Sequence, residues 1–451
     1  MKEFILKYAP LLIQNMAISV YNSFLYKVRH AGKYKVLRDY YALFDRADIK
    51  LVEEEARRRL KIFLETATSD SEWYRKFKGK SLNEFPVLEK EELINNFETI
   101  RTVPDRKSIV SYTGGTTGAS MKVVYTYPDM QERFALIDHF RAKYGYKLGK
   151  RTAWFSGRTL VQTKDLKRGI CYRDDYINKI RFFSSFHISE DNFDIYCRAF
   201  REFKPEFIVG SPSSVYDLCK FALKRGLKAK GIVKVFFSTA ETVLPHHCEV
   251  IVDVLGCEIV DQYASSEGAP FILQCKSGSM HIHPLSGFFE VVDEEMNPAT
   301  EGEMLVTSFT THGAPLIRYR IGDRIKLAPN DYKCPCGSPF PVVESIDGRS
   351  TDFIWSPENG KINLGNISNC TKNIYGLICF QVIQCHENEI NVKVVCSSRF
   401  DEKEEARFLK AIKVRVGMNM VVNIERVSSI PREKSGKFRI VKNTLVLNNC
   451  S

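Results

Sequence analysis

The sequence predicts an α/β protein, with a large N-terminal α/β domain that includes a β-subdomain and a small, mobile α+β C-terminal lid domain. Three observations lead there. Across the middle of the chain, short β-rich runs ending in Gly, Ser or Thr alternate with helical stretches. After Ser286 the pattern changes to strands separated only by turn residues, as an antiparallel sheet requires. Residues 349–451 then combine three strands with one charged amphipathic helix, a size that suits a separate domain. The length of 451 residues agrees with one larger and one smaller domain, here 1–348 and 349–451.

Before Ser111 the chain reads as helical. Residues 49–67 place apolar side chains at helical spacing among many charges, and residues 88–97 form a shorter piece. Residues 1–21 are fairly apolar, yet Lys2, Lys7, Pro10, Gln14 and Asn15 interrupt them well short of the roughly 18 apolar residues that a spanning helix needs. With Lys27, Arg29, Lys33 and Lys35 behind it, this stretch reads as an amphipathic helix that caps the protein's own core. Contact with an anionic bilayer is the less favoured reading.

In the alternating region, residues 207–209 precede Gly210-Ser211-Pro212, residues 235–237 precede Ser238-Thr239, and Ile259-Val260 precede residues 261–267. Helical stretches at 215–225 and 246–255 lie between them. In open α/β sheets, ligands bind beyond the carboxyl ends of the strands, where these polar turns collect. The antiparallel region offers strands at 288–292, 304–308 and 324–327. The final domain offers strands at 379–385, 390–395 and 421–427 around a helix at 401–416.

Composition narrows the class. Hydrophobic residues make up 44% and charged residues 27%, values of a soluble globular protein rather than a disordered or membrane-embedded one. Lys and Arg exceed Asp and Glu by 66 to 54, but the basic residues are scattered, so they read as a solvated surface and no nucleic-acid partner is expected. Thirteen cysteines are few for this length and odd in number, which favours reduced thiols in a cytoplasmic protein.

The chemistry-bearing motifs begin with Ser111-Tyr112-Thr113-Gly114-Gly115-Thr116-Thr117-Gly118. Glycines let the backbone approach phosphate oxygens with N–H groups exposed, and three threonine hydroxyls add donors. The ending lacks the Gly-Lys-Ser/Thr of a Walker A loop, and such a segment alone is more often a plain turn. Four further motifs follow in order: Tyr263-Ala264-Ser265-Ser266-Glu267-Gly268, Arg318-Tyr319-Arg320-Ile321-Gly322-Asp323, Gly348-Arg349-Ser350-Thr351-Asp352 and Pro431-Arg432-Glu433-Lys434-Ser435-Gly436-Lys437.

Together these motifs resemble the adenylate-forming superfamily of acyl-CoA synthetases, peptide-synthetase adenylation domains and luciferases. Phe183-Ser184-Ser185-Phe186-His187, the segment from Phe207 to Ser214 and Pro315-Leu316-Ile317-Arg318-Tyr319 are similar to the phenylacetate-CoA ligase group, in particular its CapK-like capsular polysaccharide biosynthesis proteins. At the exit of the phosphate loop the chain departs from that pattern: Ser120 replaces the usual proline, and Ala119 stands where a lysine is common.

The resemblance implies site roles, each with a physical reason. Thr113, Gly114, Gly115, Thr116, Thr117 and Gly118 would cradle the ATP phosphates. Glu267 would hold Mg2+, a hard cation that prefers carboxylate and phosphate oxygens. Tyr263 would stack on adenine, with Ser238, Thr239, Ala240 and Glu241 as the other wall and Gln262, Ala264, Ser265 and Ser266 completing the nucleotide site. Asp323 would accept hydrogen bonds from both ribose hydroxyls. Lys437 would bring positive charge to the reacting carboxylate and α-phosphate, and Arg349 would contact the nucleotide near the hinge formed by residues 350–352. Phe155, Ser156, Gly157, His187, Gly210, Ser211 and Pro212 would line the acid-binding pocket.

One constellation stands apart. Cys334-Pro335-Cys336-Gly337 is a tight turn that can aim two thiolates at one ion, and Cys275 with His281 offers a second pair on an adjoining hairpin. His283 is a competing ligand. Similar members of the group carry a structural Zn2+, so the resemblance implies zinc here. It further implies acid activation by ATP with pyrophosphate release, then transfer to coenzyme A or a related nucleophile, in capsular or extracellular polysaccharide biosynthesis. The alternatives are an amide ligase acting on an amino sugar or amino acid, and a non-catalytic scaffold. A homodimer is implied by family analogy.

Overall fold

A computed structural model describes residues 9–445 apart from 113–121, 157–159, 186, 189, 241–242, 330, 348–352, 359, 364–366, 368–369, 371–373, 375, 397, 429 and 431–439. The chain divides into two compact units. The first comprises Met1–Ser111, Val123–Ile321 and Ile325–Ser345, and the second Tyr112–Lys122, Gly322–Arg324 and Ile346–Ser451.

The first unit opens with helices α1 (Leu11–Arg29), α2 (Tyr34–Phe44) and α3 (Ile49–Asp70). Helix α3 starts where the Asp48 carboxylate accepts the Lys50 N–H at 2.8 Å, an N-cap that satisfies an otherwise orphaned donor. The helical piece expected at 88–97 is instead two short helices, Lys90–Asn95 and Phe97–Ile100. They part at Asn96, whose backbone leaves the helical range while its side-chain amide donates to the Glu92 carbonyl. Strands β1 (Ile109–Tyr112) and β2 (Lys122–Tyr125) pair on either side of residues 113–121, and α4 (Tyr127–Ala142) follows.

A six-stranded sheet is built from β3 (Thr152–Ser156), β4 (Tyr172–Asp175), β5 (Ile180–Ser184), β6 (Phe207–Gly210), β7 (Val235–Ser238) and β8 (Glu258–Val260), in the order β4-β5-β3-β6-β7-β8. All neighbours are parallel except the edge strand β4, which runs antiparallel to β5. The strand sequences explain this. Phe-Ile-Val-Gly and Val-Phe-Phe-Ser are buried throughout, as parallel strands covered on both faces must be. Alternate residues divide between two cores. Ile208 and Phe236 pack with Val215, Cys219 and Ile251 beneath α5 (Phe193–Phe203), α6 (Pro212–Lys224) and α7 (Pro245–Leu255). Phe207, Val209 and Phe237 pack on the other side with Phe140 and Tyr144. Helices α6 and α7 each begin with proline at the first position, which extends them upstream of the stretches read from periodicity alone.

A seven-stranded sheet holds β9 (Gln262–Tyr263), β10 (Ile272–Gln274), β11 (Met280–Ile282), β12 (Gly287–Val292), β13 (Glu301–Ser308), β14 (Tyr319–Leu327) and β15 (Val342–Asp347), in the order β12-β13-β14-β15-β11-β10-β9. The antiparallel pattern read after Ser286 accounts for β12 to β14, and three shorter strands extend the same sheet from upstream.

The second unit carries the hairpin β16 (Phe353–Ser356) and β17 (Gly360–Asn363), and a four-stranded sheet β20-β19-β18-β21. Those strands are β18 (Leu377–His386), β19 (Glu389–Cys396), β20 (Val421–Arg426) and β21 (Val441–Asn443). Helix α8 (Glu402–Val416) buries Phe408, Ile412 and Val416, spaced by four, against Val382, Val392 and Val394. Its N-terminus is capped by Asp401, and its ends carry Glu402, Glu404 and Glu405 against Lys413 and Arg415, the charge order that the helix dipole favours. No helix among the described residues is long and apolar enough to cross a membrane.

Helix α4 is fixed by a buried carboxylate. Asp129 closes a capping box with Thr126, accepts the Gly313 N–H at 3.1 Å and meets His312 Nδ1 at 2.7 Å. Burial works against the charge on both partners. Their mutual hydrogen bond prevails, so the Asp129 pKa falls below 3.8 and the His312 pKa rises above 6.5. The histidine's contribution is complete below pH 6.5 and fades as pH rises through its raised value. The carboxylate's is complete above pH 3.8 and fades as pH falls through its lowered value. His312→Gln is therefore expected to cost roughly 1–2 kcal/mol near pH 5, the 35% exposure of the His312 side chain keeping it below a fully buried pair. Urea titrations should find that cost shrinking by about pH 9; an equal loss at both pH values would refute the charged pair.

Candidate functional site

The five parallel strands deliver the singled-out residues to one edge of their sheet. Strand β3 ends with Phe155 and Ser156, and β5 leads to His187. Strand β6 ends at Gly210 and passes to Ser211 and Pro212, β7 ends at Ser238 before Thr239 and Ala240, and β8 leads through Asp261 to Gln262 and Tyr263. Phe155 itself is a core side chain, 3% exposed and stacked on Phe183 at 5.0 Å. Thr113, Gly114, Gly115, Thr116, Thr117, Gly118, Gly157, Glu241, Arg349 and Lys437 lie outside the described residues.

The loop ends are tied to one another. Thr239 N–H donates to the Gly210 carbonyl at 2.9 Å, carrying the β6–β7 pairing past the strands. The buried Ser238 hydroxyl donates to Asp261, whose carboxylate also accepts the Gln262 N–H at 2.8 Å, and Gln274 Oε1 accepts the Asp261 N–H at 2.7 Å. Burial pushes the Asp261 carboxyl above its ordinary range, with the Ser238 and Gln262 donors opposing. Ala240 holds φ at 69°, a left-handed conformation that costs a non-glycine residue roughly 1 kcal/mol. Strain of this kind gathers where a backbone must be presented to a ligand.

His187 sits with Nδ1 at 2.7 Å from Ser184 Oγ, while Asn192 donates to its carbonyl. Burial lowers its pKa below 6.5 against the pull of Asp165, so the imidazole is mainly neutral at pH 7. Beside it, the Ser185 hydroxyl is buried without a hydrogen-bond partner among the described atoms, a group that a bound ligand would satisfy.

The turn after Tyr263 is held from outside. Tyr263 pairs with Ile272 across β9 and β10. Ala269 N–H donates to Ser265 Oγ, the Tyr125 hydroxyl donates to the Ser266 carbonyl at 2.9 Å, and Arg133 donates to the carbonyls of Gly268 and Ala269 at 3.0 and 3.2 Å. Gly268, at φ 108°, lets Tyr125 and Thr311 close in. Ala264 and Ser266 are exposed, and Glu267 is half-buried at the tip. Asp323 is half-buried on β14, one residue after Gly322 at φ 85°. Tyr125 and Arg133 were not singled out from the sequence; they lie more than a hundred residues from the turn that they position, beyond the reach of any local pattern.

The cysteine cluster assembles on the antiparallel sheet. Cys275 follows β10, His281 lies on β11, and Cys334 and Cys336 belong to the connection between β14 and β15, brought alongside by the pairing of β11 with β15. The four ligand atoms lie within 4.8 Å of one another, with Cys275 Sγ to Cys334 Sγ at 3.6 Å and Cys336 Sγ to His281 Nε2 at 3.5 Å. A tetrahedral zinc–thiolate site sets sulfurs about 3.8 Å apart, whereas a disulfide needs roughly 2.05 Å, so the spacing fits an ion. His281 Nδ1 donates to the Phe340 carbonyl at 2.9 Å, which places the proton on Nδ1 and leaves Nε2 bare to face the sulfurs.

Burial opposes ionising Cys334, but hydrogen bonds from Ser279, Cys336 and His281 outweigh it and bring its pKa to about 6. Burial and the neighbouring sulfurs push Cys336 up to about 12, as crowded thiolates do without a cation between them. His283 is not in the cluster. It packs edge-on against Tyr41 and Phe340, and burial takes its pKa to about 3.

Comparison with known proteins agrees with this architecture. A solved 2-hydroxyisobutyryl-CoA ligase in complex with 2-HIB-AMP and CoA superposes with a TM-score of 0.60 at 17% identity, covering 90% of this chain and 93% of that one. The chain is 25% identical over 358 residues to the indoleacetate–lysine synthetase of Pseudomonas savastanoi, spanning 74% of this chain and 83% of that protein. The fold and these relatives are those of adenylate-forming ligases. The chain is also similar to Protein CapK of Staphylococcus aureus, 27% identical over 453 residues that span 99% of this chain and 100% of CapK, and residues 354–444 match the CapK C-terminal domain.

Gly210 gives the site's geometry a direct test. A Cβ there would stand 2.7 Å from Phe155 Cβ and 2.9 Å from the Phe155 carbonyl oxygen, so β3 and β6 would have to separate just where their ends carry the site. Gly210→Ala is expected to cost about 1–3 kcal/mol in urea unfolding; wild-type stability would show that the strands do not approach this closely.

Proposed function

We propose that the chain activates a carboxylic acid with ATP at the carboxyl ends of β3 and β5 to β8. The acid's carboxylate oxygen attacks the α-phosphorus, the bond to the bridging oxygen breaks, and pyrophosphate leaves with that electron pair. Residues 113–118 cradle the phosphates and Glu267 holds the Mg2+ that accompanies them. Tyr263 and the loops at 238–241 and 262–266 seat the adenine, and Asp323 takes the ribose hydroxyls. Lys437 and Arg349, from a lid formed by residues 349–451, supply positive charge as two anions meet. Burial keeps His187 uncharged beside the acid, leaving the Ser185 hydroxyl to hydrogen-bond it. In the second step the thiol of coenzyme A, or a related nucleophile, releases its proton and bonds to the acyl carbon, and AMP departs.

The observation that carries this reading is the gathering of Gly210–Pro212, Ser238–Ala240 and Gln262–Ser266 at neighbouring parallel strand ends. The resemblance of the motifs to CapK-like capsular polysaccharide biosynthesis proteins, with the match along the whole of Protein CapK, supports a place in capsular or extracellular polysaccharide biosynthesis, and the odd number of scattered cysteines supports a cytoplasmic one. A second reading keeps the first step and gives the acyl group to an amine of an amino sugar or amino acid, which the likeness to a lysine-conjugating synthetase favours.

Pyrophosphate exchange across a panel of carboxylic acids tests the first step. At least one acid should support exchange, and Lys437→Ala should lower the rate by about 10²-fold or more. Exchange with no acid, or an unchanged Lys437→Ala rate, would remove the catalytic reading. Mass analysis of products formed with coenzyme A and with amines then separates the two acceptors.

Cys275, His281, Cys334 and Cys336 hold one structural Zn2+, pinning the β14–β15 connection to the β10–β11 hairpin. Protein purified without added zinc is expected to contain about one zinc per chain, and Cys334→Ser close to none. The exposed Cys385, outside the cluster, serves as the control: Cys385→Ser should keep its metal. Metal-free wild-type protein would rule the site out.

A further inference from the structure

Helix α1 is turned the opposite way from an ordinary surface helix. Gln14, Asn15, Ser19 and Asn22 are its buried residues, while Leu12, Ile13, Met16, Val20, Tyr21 and Phe24 are 49% to 64% exposed. The inward face is polar because of what it covers. Strand β4 is an edge of the six-stranded sheet, and its outer backbone groups have no strand to pair with. Asn15 Oδ1 accepts the Asp174 N–H at 3.1 Å and Ser19 Oγ accepts the Tyr176 N–H at 2.9 Å. Asn22 donates to Asp175, and Gln14 accepts from the fully buried Arg173 at 2.6 Å. The helix thus closes the sheet edge with amides and a hydroxyl.

That arrangement leaves an apolar stripe exposed among the described residues. Leu12, Met16, Val20 and Phe24 recur every fourth residue and so lie along one side of a helix roughly 28 Å long. Tyr176 and Ile177, in the turn after β4, are exposed as well, and the Tyr176 hydroxyl accepts from Asn15. Charge identifies the occupant. The nineteen residues of α1 include no Asp or Glu, Lys27 falls on the outward side at the C-terminal end, and exposed Lys33 and Lys35 follow directly. An apolar face with basic residues at its margin matches an anionic lipid surface, where hydrocarbon takes the apolar side chains and phosphate headgroups meet the ammonium groups.

We propose that α1 is a peripheral membrane anchor, lying flat on an anionic bilayer with Leu12, Met16, Val20 and Phe24 inserted, and so holds the enzyme at the membrane surface. This goes beyond the ligase chemistry and does not depend on it. The test is co-sedimentation of the full chain with vesicles of phosphatidylglycerol and phosphatidylcholine, against vesicles of phosphatidylcholine alone. Wild-type protein should sediment with the anionic vesicles, weakly with the neutral ones, and less in high salt. A variant carrying Met16→Gln, Val20→Gln and Phe24→Gln should partition at least about tenfold less, with the thermal unfolding transition of the wild type because those side chains face outward. Lys27→Glu with Lys33→Glu and Lys35→Glu should reduce binding to the anionic vesicles alone. Failure of the wild type to sediment, or full binding by the glutamine variant, overturns the proposal. So does light scattering that finds a wild-type dimer which the glutamine variant loses, since the stripe would then be covered by a second copy.

Discussion

A sheet cannot pair the backbone groups along its outermost strand or just past the ends of its strands, and the first unit is arranged around those two deficits. Along β4 the missing partners are side chains of α1. At the carboxyl ends the strands run into loops that partly satisfy one another, as Thr239 does with Gly210 and Ser238 with Asp261, while the Ser185 hydroxyl has no partner among the described atoms and Ala240 is held in a left-handed turn. Both the loop-bearing end and the covered edge of the sheet follow from one requirement: a buried donor or acceptor must find a partner.

Three of the strands that build this edge, β6 to β8, were legible in the sequence because their chemistry is local, whereas β3 and β5 were not read as strands. Runs such as Phe-Ile-Val-Gly and Val-Phe-Phe-Ser announce buried parallel strands, and Gly, Ser and Thr at their ends mark where the chain turns. The cysteine pairs were legible for the same reason, each being close in sequence; their meeting depends on β11 lying beside β15, which the residues alone do not declare. Tyr125, Arg133 and the Asp129–His312 pair were invisible, since each acts on a segment more than a hundred residues away.

Helix α1 illustrates a different limit. Periodicity defines two faces of a helix but does not say which is turned inward, and the usual assumption, apolar inward, fails when the surface to be covered is an unpaired strand rather than a hydrophobic layer. The expectation that α1 caps the core was right about contact and reversed about the face that makes it.

The seam between β15 and β11 has a mechanical consequence. Among the described residues the pairs Met280 with Val343 and His281 with Val342 join them in register, with the Ile282 N–H donating to the Pro341 carbonyl beside them, so the seven-stranded sheet is two ribbons meeting over a short overlap. The cysteine cluster lies across that same overlap, with two ligands from each side. An ion bound there would act as a rivet. Under a pulling force the ribbons would separate at this line, and the load they bear before parting would be set by metal–ligand bonds more than by the few hydrogen bonds beside them.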